Sequence, residues 1–200
     1  MMPAAPTPAV SPAVRATVEG HIRAWLEAFV VGLNLCPFAR PLLGAPNLRI
    51  AVCESAQPVA RRRAFLEELD LLQASTEEAI ATTLLVLPLG LEEFEDYLDY
   101  LDECQQLLEE SGLEGVVQLA SFHPHYQFAG EAAGAASHYS NRAPYPVIHL
   151  LRENMLTRAL EGFDQPERIP ANNIHTLEQL GVVELESRWL ALFSPPAKGD

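Results

Sequence analysis

The sequence predicts one α/β domain: a small, mostly parallel sheet of three or four strands flanked by helices. Three apolar runs of strand length occur at residues 48–53, 82–87 and 116–122. Two segments with apolar residues at helical spacing separate them, at 58–72 and 91–111. Strands that alternate with helices are typical of parallel sheets, because each crossover helix returns the chain to the edge where the previous strand began.

A long amphipathic helix is predicted before the first strand. Pro12 suits a helix start, and apolar residues then recur at helical spacing as far as Leu33. Pro37 biases Cys36 away from helical backbone. The helix is therefore expected to end near Asn34.

After the third strand, the sequence predicts a loop and then more helix. Residues 131–137 are small and suit a loop or a lid. Pro146 suits the first turn of a helix that continues over 147–160. A short last helix is expected at 173–180, whereas 182–193 fits either an edge strand or a helix.

The length of 200 residues suits a single domain. The domain is expected to cover residues 13–193, after a proline-rich disordered tail at 1–12 and before a frayed tail at 194–200. No run approaches the roughly 18 apolar residues of a membrane span, and the N-terminus lacks the basic region of a signal peptide. The oligomeric state stays open.

Composition narrows the classes of partner. The net charge of −14 argues against nucleic acid and against anionic membrane surfaces, because both are bound through basic patches. A small-molecule ligand is the expected partner. The cysteines Cys36, Cys53 and Cys104 are an odd number without short spacing, which fits reduced thiols in a cytoplasmic protein.

The densest polar chemistry lies between Val116 and Arg152. In open α/β sheets, ligands bind beyond the carboxyl ends of the strands, which here carry Glu54, Pro88 and His123. We therefore predict that Cys36 and His123 lie within about 10 Å of each other, close enough for loop closure to join them. The predicted pocket is lined by six residues: Cys36, Glu54, His123, Asn141, Arg142 and His149.

Three phrases carry a family resemblance: GLNLCPFARP at 32–41, ASFHPHYQFAG at 120–130 and SNRAPYPVIHLLRE at 140–153. In order and spacing they resemble the bacterial family catalogued as domain of unknown function 1415. The resemblance covers roughly 14–181 and implies a cytosolic, stand-alone domain, with no activity, substrate or cofactor attached. The matching positions are Cys36, Pro37, His123, Pro124, Tyr126, Phe128, Asn141, Arg142, Pro144, Tyr145, Pro146, His149 and Arg152. His125 departs from the family pattern, which often has an acidic residue there.

The favoured hypothesis is a small enzyme of hydrolase or transferase type acting on a small anionic or carbonyl substrate. Its catalytic residues would be Cys36 as nucleophile and His123 or His149 as base. The substrate would be bound by a set of polar side chains: Glu54, Tyr126, Asn141, Arg142, Tyr145 and Arg152.

Two alternatives belong to other classes. One is a metal protein, because thiolate, imidazole and carboxylate groups suit zinc or iron; its ligands would come from Cys36, His123, His149, Glu54 and His125. The other is a non-catalytic module that binds a small anion through Arg142, Arg152 and the helix start after Pro146. The cofactor stays unknown.

A structural role competes with each functional one. Cys36 follows a helix C-terminus, whose dipole disfavours a thiolate, so a nucleophile there needs help from Arg40 or a histidine. His149 at a buried position can simply bond to the backbone. The remaining histidines, His21, His138 and His175, are expected at the surface.

Overall fold

The computed structural model describes residues 12–194, so the tails expected at the two ends fall almost entirely outside it. Its helices and strands follow in this order: α1 Pro12–Trp25, β1 Leu48–Val52, α2 Pro58–Ala74, β2 Thr82–Val86, α3 Phe94–Glu110, β3 Val117–Phe122, β4 Val147–Arg152, α4 Glu153–Glu161 and α5 Ile169–Ala191. A π-helix, Leu26–Val31, continues α1, and short 3₁₀ turns occur at Ala136–Ser140 and Pro166–Arg168. No helix within this part of the chain is long and apolar enough to cross a membrane.

The four strands form one sheet in the order β1-β2-β4-β3. Strands β1 and β2 are parallel, and β4 runs antiparallel to both β2 and β3. The three predicted strands are confirmed, and they point in the same direction. The prediction of a mostly parallel sheet is wrong, because β4 is inserted between β2 and β3 and makes the sheet mixed.

The error arose in the segment that was expected to form a helix over 147–160. Its first six residues form β4, and the helix begins only at Glu153. A central strand is covered on both faces, so VIHLLR has no alternation of polar and apolar residues, and such a short apolar run fits a helix equally well. In β4 the side chains of His149 and Arg152 leave opposite faces of the sheet, whereas on a helix they would share one.

Helices cover both faces of the sheet. The front face packs against α1, the π-helix and α5, with a core that includes Trp25, Phe29, Leu84, Val147 and Leu177. The back face packs against α2 and α3, with a core that includes Phe65, Leu72, Leu85, Tyr97 and Ile148. Neighbours such as Leu84 and Leu85 serve opposite cores, as the period of two in a strand requires.

The first helix ends near Asn34, as predicted, but its last turns differ from an ordinary α-helix. It turns π-helical over Leu26–Val31, and Asn34 closes it in the left-handed conformation with φ of 53°. A side chain on Gly32 would place its Cβ 2.5 Å from a carbonyl oxygen one turn earlier. The Val30 carbonyl accepts hydrogen bonds from the next two amides beyond the turn, the second being that of Cys36 at 3.4 Å. This turn brings Cys36 to the front face of the sheet.

The last helix is longer than expected. It extends over Ile169–Ala191 and includes most of 182–193, which decides between the two alternatives in favour of helix. Gly181, with φ of 74° and ψ of 158°, is not helical and divides α5 into two helices, the first of which includes the short helix expected at 173–180.

Candidate functional site

Two neighbouring pockets on the front face share the wall residues Val30, Cys36 and Phe122, and we refer to them together as the cleft, with an inner and an outer chamber. The inner chamber, about 100 Å³, lies between the π-helix, α4 and the sheet, where Thr82 and His149 line it. The outer chamber, about 510 Å³, lies between the loop after β3 and α5, where Glu131, Asn141 and Asn173 line it. The inner chamber therefore lies over the face of the sheet, whereas the outer chamber lies beside the carboxyl end of β3.

His149 presents one free nitrogen in this cleft. Its Nε2 lies 2.7 Å from Oγ1 of Thr82, and that hydroxyl donates to the carbonyl of Leu150 at 2.7 Å. A threonine hydroxyl has one hydrogen, so Nε2 must donate to it and Nδ1 must carry the lone pair. No hydrogen bond reaches Nδ1 from any residue in 12–194.

Burial sets the charge of His149. The residue keeps some solvent exposure, but desolvation of the ring lowers the pKa of its imidazole to about 4. The ring is therefore neutral at physiological pH, which makes it a hydrogen-bond acceptor and only a weak base.

Trp25 contributes a second unpaired group to the wall of the inner chamber. The residue is 1% exposed, and its Nε1 has no hydrogen-bond partner among the described residues. The indole packs edge-on against Phe122, with ring centroids 5.1 Å apart. Buried polar groups are nearly always paired, so an orphaned donor in the wall of a cavity needs an explanation.

Cys36 lines both chambers and is half-buried. Burial raises the pKa of its thiol, and the backbone N–H groups of Phe38 and Ala39 oppose the shift without overcoming it. The nucleophile hypothesis required a lowered pKa, so the direction is opposite to the one expected. Arg40, the expected helper, instead makes a long hydrogen bond of 3.5 Å to the carbonyl of Val31.

His123 is placed for a structural role. It is fully buried and packs against Phe94 and Tyr97 of α3, with ring centroids 5.3 and 5.1 Å away. Its Nε2 donates to the carbonyl of Leu91 at 2.9 Å, and its Nδ1 accepts from the amide of His125 at 3.0 Å. Burial lowers the pKa of the ring. Both nitrogens are thus hydrogen-bonded to the backbone.

The predicted pocket that joins Cys36 to His123 is therefore not formed. Phe122 points to the front face and the next residue, His123, to the back, so the sheet separates the thiol from the imidazole. Glu54 is also outside the cleft, in a separate surface groove where it pairs with Arg15 at 2.6 Å. Of the six expected lining residues, the cleft brings together three: Cys36, Asn141 and His149.

Arg152 lies on the back face and closes the end of α2. Its guanidinium donates to the carbonyls of Leu72 at 2.6 Å, Ser75 at 2.7 Å and Ile80 at 3.1 Å. Helix C-termini leave carbonyls unpaired, and a cation is well suited to them. The shared helical face expected for Arg152 and His149 does not exist, and neither does the helix start that was expected to bind an anion.

Arg142 and Tyr126 hold each other in the loop after β3. The guanidinium of Arg142 stacks over the ring of Tyr139 at 4.7 Å and makes a long bond of 3.4 Å to the carbonyl of Tyr126. The Tyr126 hydroxyl lies 3.3 Å from Oγ of Ser121. Tyr145 is paired elsewhere, with its hydroxyl 2.8 Å from Nδ1 of His21. None of these three expected binding residues lines either chamber.

Asn141 fastens the same loop to β3. Its Nδ2 donates to the carbonyl of Ser121 at 3.0 Å, and its Oδ1 accepts from the hydroxyl of Ser140 at 2.9 Å. His138 is fully buried beside it, where Nε2 donates to Ala132 and Nδ1 accepts from Phe128.

Three histidines were expected at the surface, and one of them lies there. His175 is exposed, His21 is half-buried, and His138 is buried. A position within a small-residue loop misled the prediction for His138, because its ring forms the centre around which that loop folds.

The positions of the side chains do not support metal ligation. Among residues 12–194, no group of three or more histidine, cysteine or acidic side chains is placed to hold an ion. The ligand set suggested by the sequence is divided, with Cys36 and His149 on the front face and His123 on the back.

Sequence reasoning missed Trp25, Thr82 and Glu131 as cleft residues. Trp25 fitted the apolar stripe of α1, and Glu131 fitted a mobile loop. Thr82 had a usable signal, since it and Thr83 begin a buried strand that is aliphatic from Leu84 onward, and a buried hydroxyl needs a partner.

Comparisons with known proteins assign the chain to a family and to no individual relative. Searches of curated proteins and of solved structures found no match. A family model described as a protein of unknown function, DUF1415, matches residues 17–187, a range that includes the turn at Cys36 and the whole sheet. This confirms the resemblance carried by the three phrases, and the chain belongs to the DUF1415 family of proteins of unknown function.

Proposed function

We propose that the protein binds a small amphipathic molecule in the front-face cleft. The observation that supports this is that two residues lining the inner chamber each keep an unpaired group: the acceptor Nδ1 of His149 and the buried donor Nε1 of Trp25. Their surroundings are apolar, and a mainly apolar pocket with a few fixed polar groups is the usual form of a small-molecule site. A hydroxyl or amide group on the ligand both donates and accepts, so it has the chemistry to serve both residues.

The size of the inner chamber limits what it holds. Its volume is about 100 Å³. A known apolar cavity of roughly 150 Å³ takes up benzene, so this chamber has room for about four carbon atoms. A longer molecule extends past Cys36 into the outer chamber.

A second candidate function is the enzyme expected from the sequence, with the bound molecule as a carbonyl substrate and Cys36 as its nucleophile. It is favoured by the position of Cys36 in the wall of both chambers and by the N–H groups of Phe38 and Ala39, which stabilise a thiolate. His149 is then the base. The raised pKa of the thiol counts against this candidate.

A cytoplasmic location accompanies the proposal. Cys36, Cys53 and Cys104 are all free thiols, which suits a reducing compartment. The net charge of −14 supports the expectation that nucleic acid is not a partner.

Straight-chain alcohols from ethanol to octanol test the proposal. The chain has two tryptophans, so a Trp189→Phe protein leaves Trp25 as the only fluorophore, and its emission reports occupancy of the inner chamber. Each buried methylene contributes about 0.8 kcal/mol, so affinity should rise about fourfold per carbon up to roughly four carbons and more slowly beyond. His149→Phe in this background should weaken alcohols and leave 1-chlorobutane, which cannot donate, unaffected.

The matched control is a Trp25→Phe protein, in which Trp189 is the only fluorophore and should not respond. Alcohols that leave both the Trp25 emission and the melting temperature unchanged would contradict the proposal. So would a crystal structure with an ordered water that pairs both groups and that no alcohol displaces, because the solvent would then explain the orphaned donor.

A further inference from the structure

The charge in the cleft has one sign. Among the described residues that line the two chambers, Glu131 is the only acidic side chain, and no arginine lines either one. Arg142 and Arg152, from which the sequence suggested an anionic substrate, are engaged elsewhere by Tyr139 and by the end of α2. An anion in the outer chamber would therefore meet a carboxylate without a compensating cation.

The neutral polar groups of the outer chamber point to the same preference. Asn173 donates through Nδ2 to the carbonyl of Leu35 at 2.8 Å, and Ser140 and Asn141 are bonded to each other and to the backbone. The donors of Ser140, Asn141 and Asn173 are thus committed to holding the scaffold, whereas the hydroxyl of Ser137, which also lines the chamber, has no hydrogen bond among residues 12–194 and can donate or accept. Because the Asn173 nitrogen faces a carbonyl, its Oδ1 is the atom left without a partner among residues 12–194.

We infer that the ligand ends in an amine or another cationic hydrogen-bond donor, that this end lies in the outer chamber beside Glu131, and that anionic ligands are disfavoured. The inference rests on the proposed binding of an amphipathic molecule in the cleft and adds the chemical class of its polar end. Glu131 lies on an exposed loop, so its contribution is screened by water and salt.

Three probes test the class: 6-amino-1-hexanol, 1,6-hexanediol and 6-hydroxyhexanoate. Each has six carbons and a hydroxyl for the inner chamber, so its other end reaches the outer chamber. Near pH 7 the amine is cationic and the carboxylate anionic. With the Trp189→Phe protein at low salt, the amine should bind about twofold to fivefold more tightly than the diol, and the carboxylate more weakly than the diol by a similar factor.

Glu131→Gln should bring the affinities for the amine and the diol together. Glu110→Gln changes the net charge equally on the exposed end of α3, on the other side of the sheet, and should leave the preference intact. If the carboxylate binds as well as the amine, or if the preference survives Glu131→Gln, the inference is overturned while cleft binding stands. If none of the three probes binds, the proposed function itself fails.

Discussion

His149 should make the fold sensitive to acid, and His149→Gln should remove that sensitivity. Burial lowers the pKa of its imidazole from 6.5 to about 4 in the folded chain. Between these pH values the unfolded chain binds a proton that the folded chain does not, so the free energy of unfolding falls as the pH falls. At 1.36 kcal/mol per pH unit, the full loss is about 3 kcal/mol below pH 4, of which about 2 kcal/mol appears between pH 7 and pH 5.

Urea denaturation of the wild type and two variants between pH 7 and pH 4.5 measures this loss. Glutamine suits the test because its amide nitrogen can donate to Thr82 as Nε2 does. His175→Gln, at an exposed histidine, is the control and should keep the wild-type slope. Burial also lowers the pKa of His123, but that contribution is common to all three proteins and disappears from their differences.

Equal slopes for wild type and His149→Gln would refute the reasoning. They would mean that the imidazole takes up its proton in the folded chain as easily as in the unfolded one. The inner chamber would then be hydrated, and its unpaired nitrogen would be an ordinary solvent-bonded group.

Two further predictions concern Arg152 and Cys36. Arg152→Ala should lower the free energy of unfolding by roughly 2–3 kcal/mol, because three carbonyls lose a charged donor. In the same urea titration, the control Arg158→Ala breaks an exposed pair with Glu77 and should lower it by under about 1 kcal/mol. Similar losses for the two would contradict the capping role. Iodoacetamide should modify Cys36 before the buried Cys104. Because the pKa of Cys36 is raised, the rate should keep rising beyond the pH at which the rate for a free thiol levels off. A rate that levels off below neutral pH would contradict the raised pKa and favour the nucleophile hypothesis.

The sequence was a good guide to the strands with apolar runs and a poor guide to their partners. Strands β1, β2 and β3 follow from short apolar runs bounded by polar residues. Strand β4 does not, because its place between β2 and β3 depends on pairing Leu84 with His149 and Ala120 with His149, contacts between distant parts of the chain. No local pattern in VIHLLR specifies that pairing or its direction.

The prediction of the candidate site had the same limit, because it depended on which distant parts of the chain come together. Cys36, Asn141 and His149 were expected to line one pocket; Cys36 lines both chambers, Asn141 lines the outer one and His149 the inner one. His123 failed by one position, because a change of one residue along a strand moves a side chain to the other face. The choice between helix and strand for β4 likewise decided whether Arg152 accompanied His149.

Much of the polar density between β3 and β4 turned out to support the backbone. His123, His138 and Asn141 each bond to main-chain groups of the loop that they stabilise. A loop without regular structure leaves amides and carbonyls unpaired, and buried side chains supply the missing partners. Density of polar residues in a sequence therefore predicts either a reactive site or an irregular, well-ordered loop, and residue types alone do not separate the two.

His149 differs from those residues in a way that bears on function. Its neighbours in the inner wall of the cleft, such as Leu84 and Leu151, are aliphatic, and an aliphatic side chain in its place would avoid the desolvation that lowers its pKa. The ring bonds Thr82 through one nitrogen and leaves the other unpaired, so the fold uses only one of its two hydrogen-bonding groups. Trp25, in the wall of the same chamber, likewise leaves its only donor unpaired. The unpaired imidazole nitrogen and the unpaired indole N–H each cost free energy, and both residues line one chamber of about 100 Å³. A bound molecule that completes both hydrogen bonds would account for both.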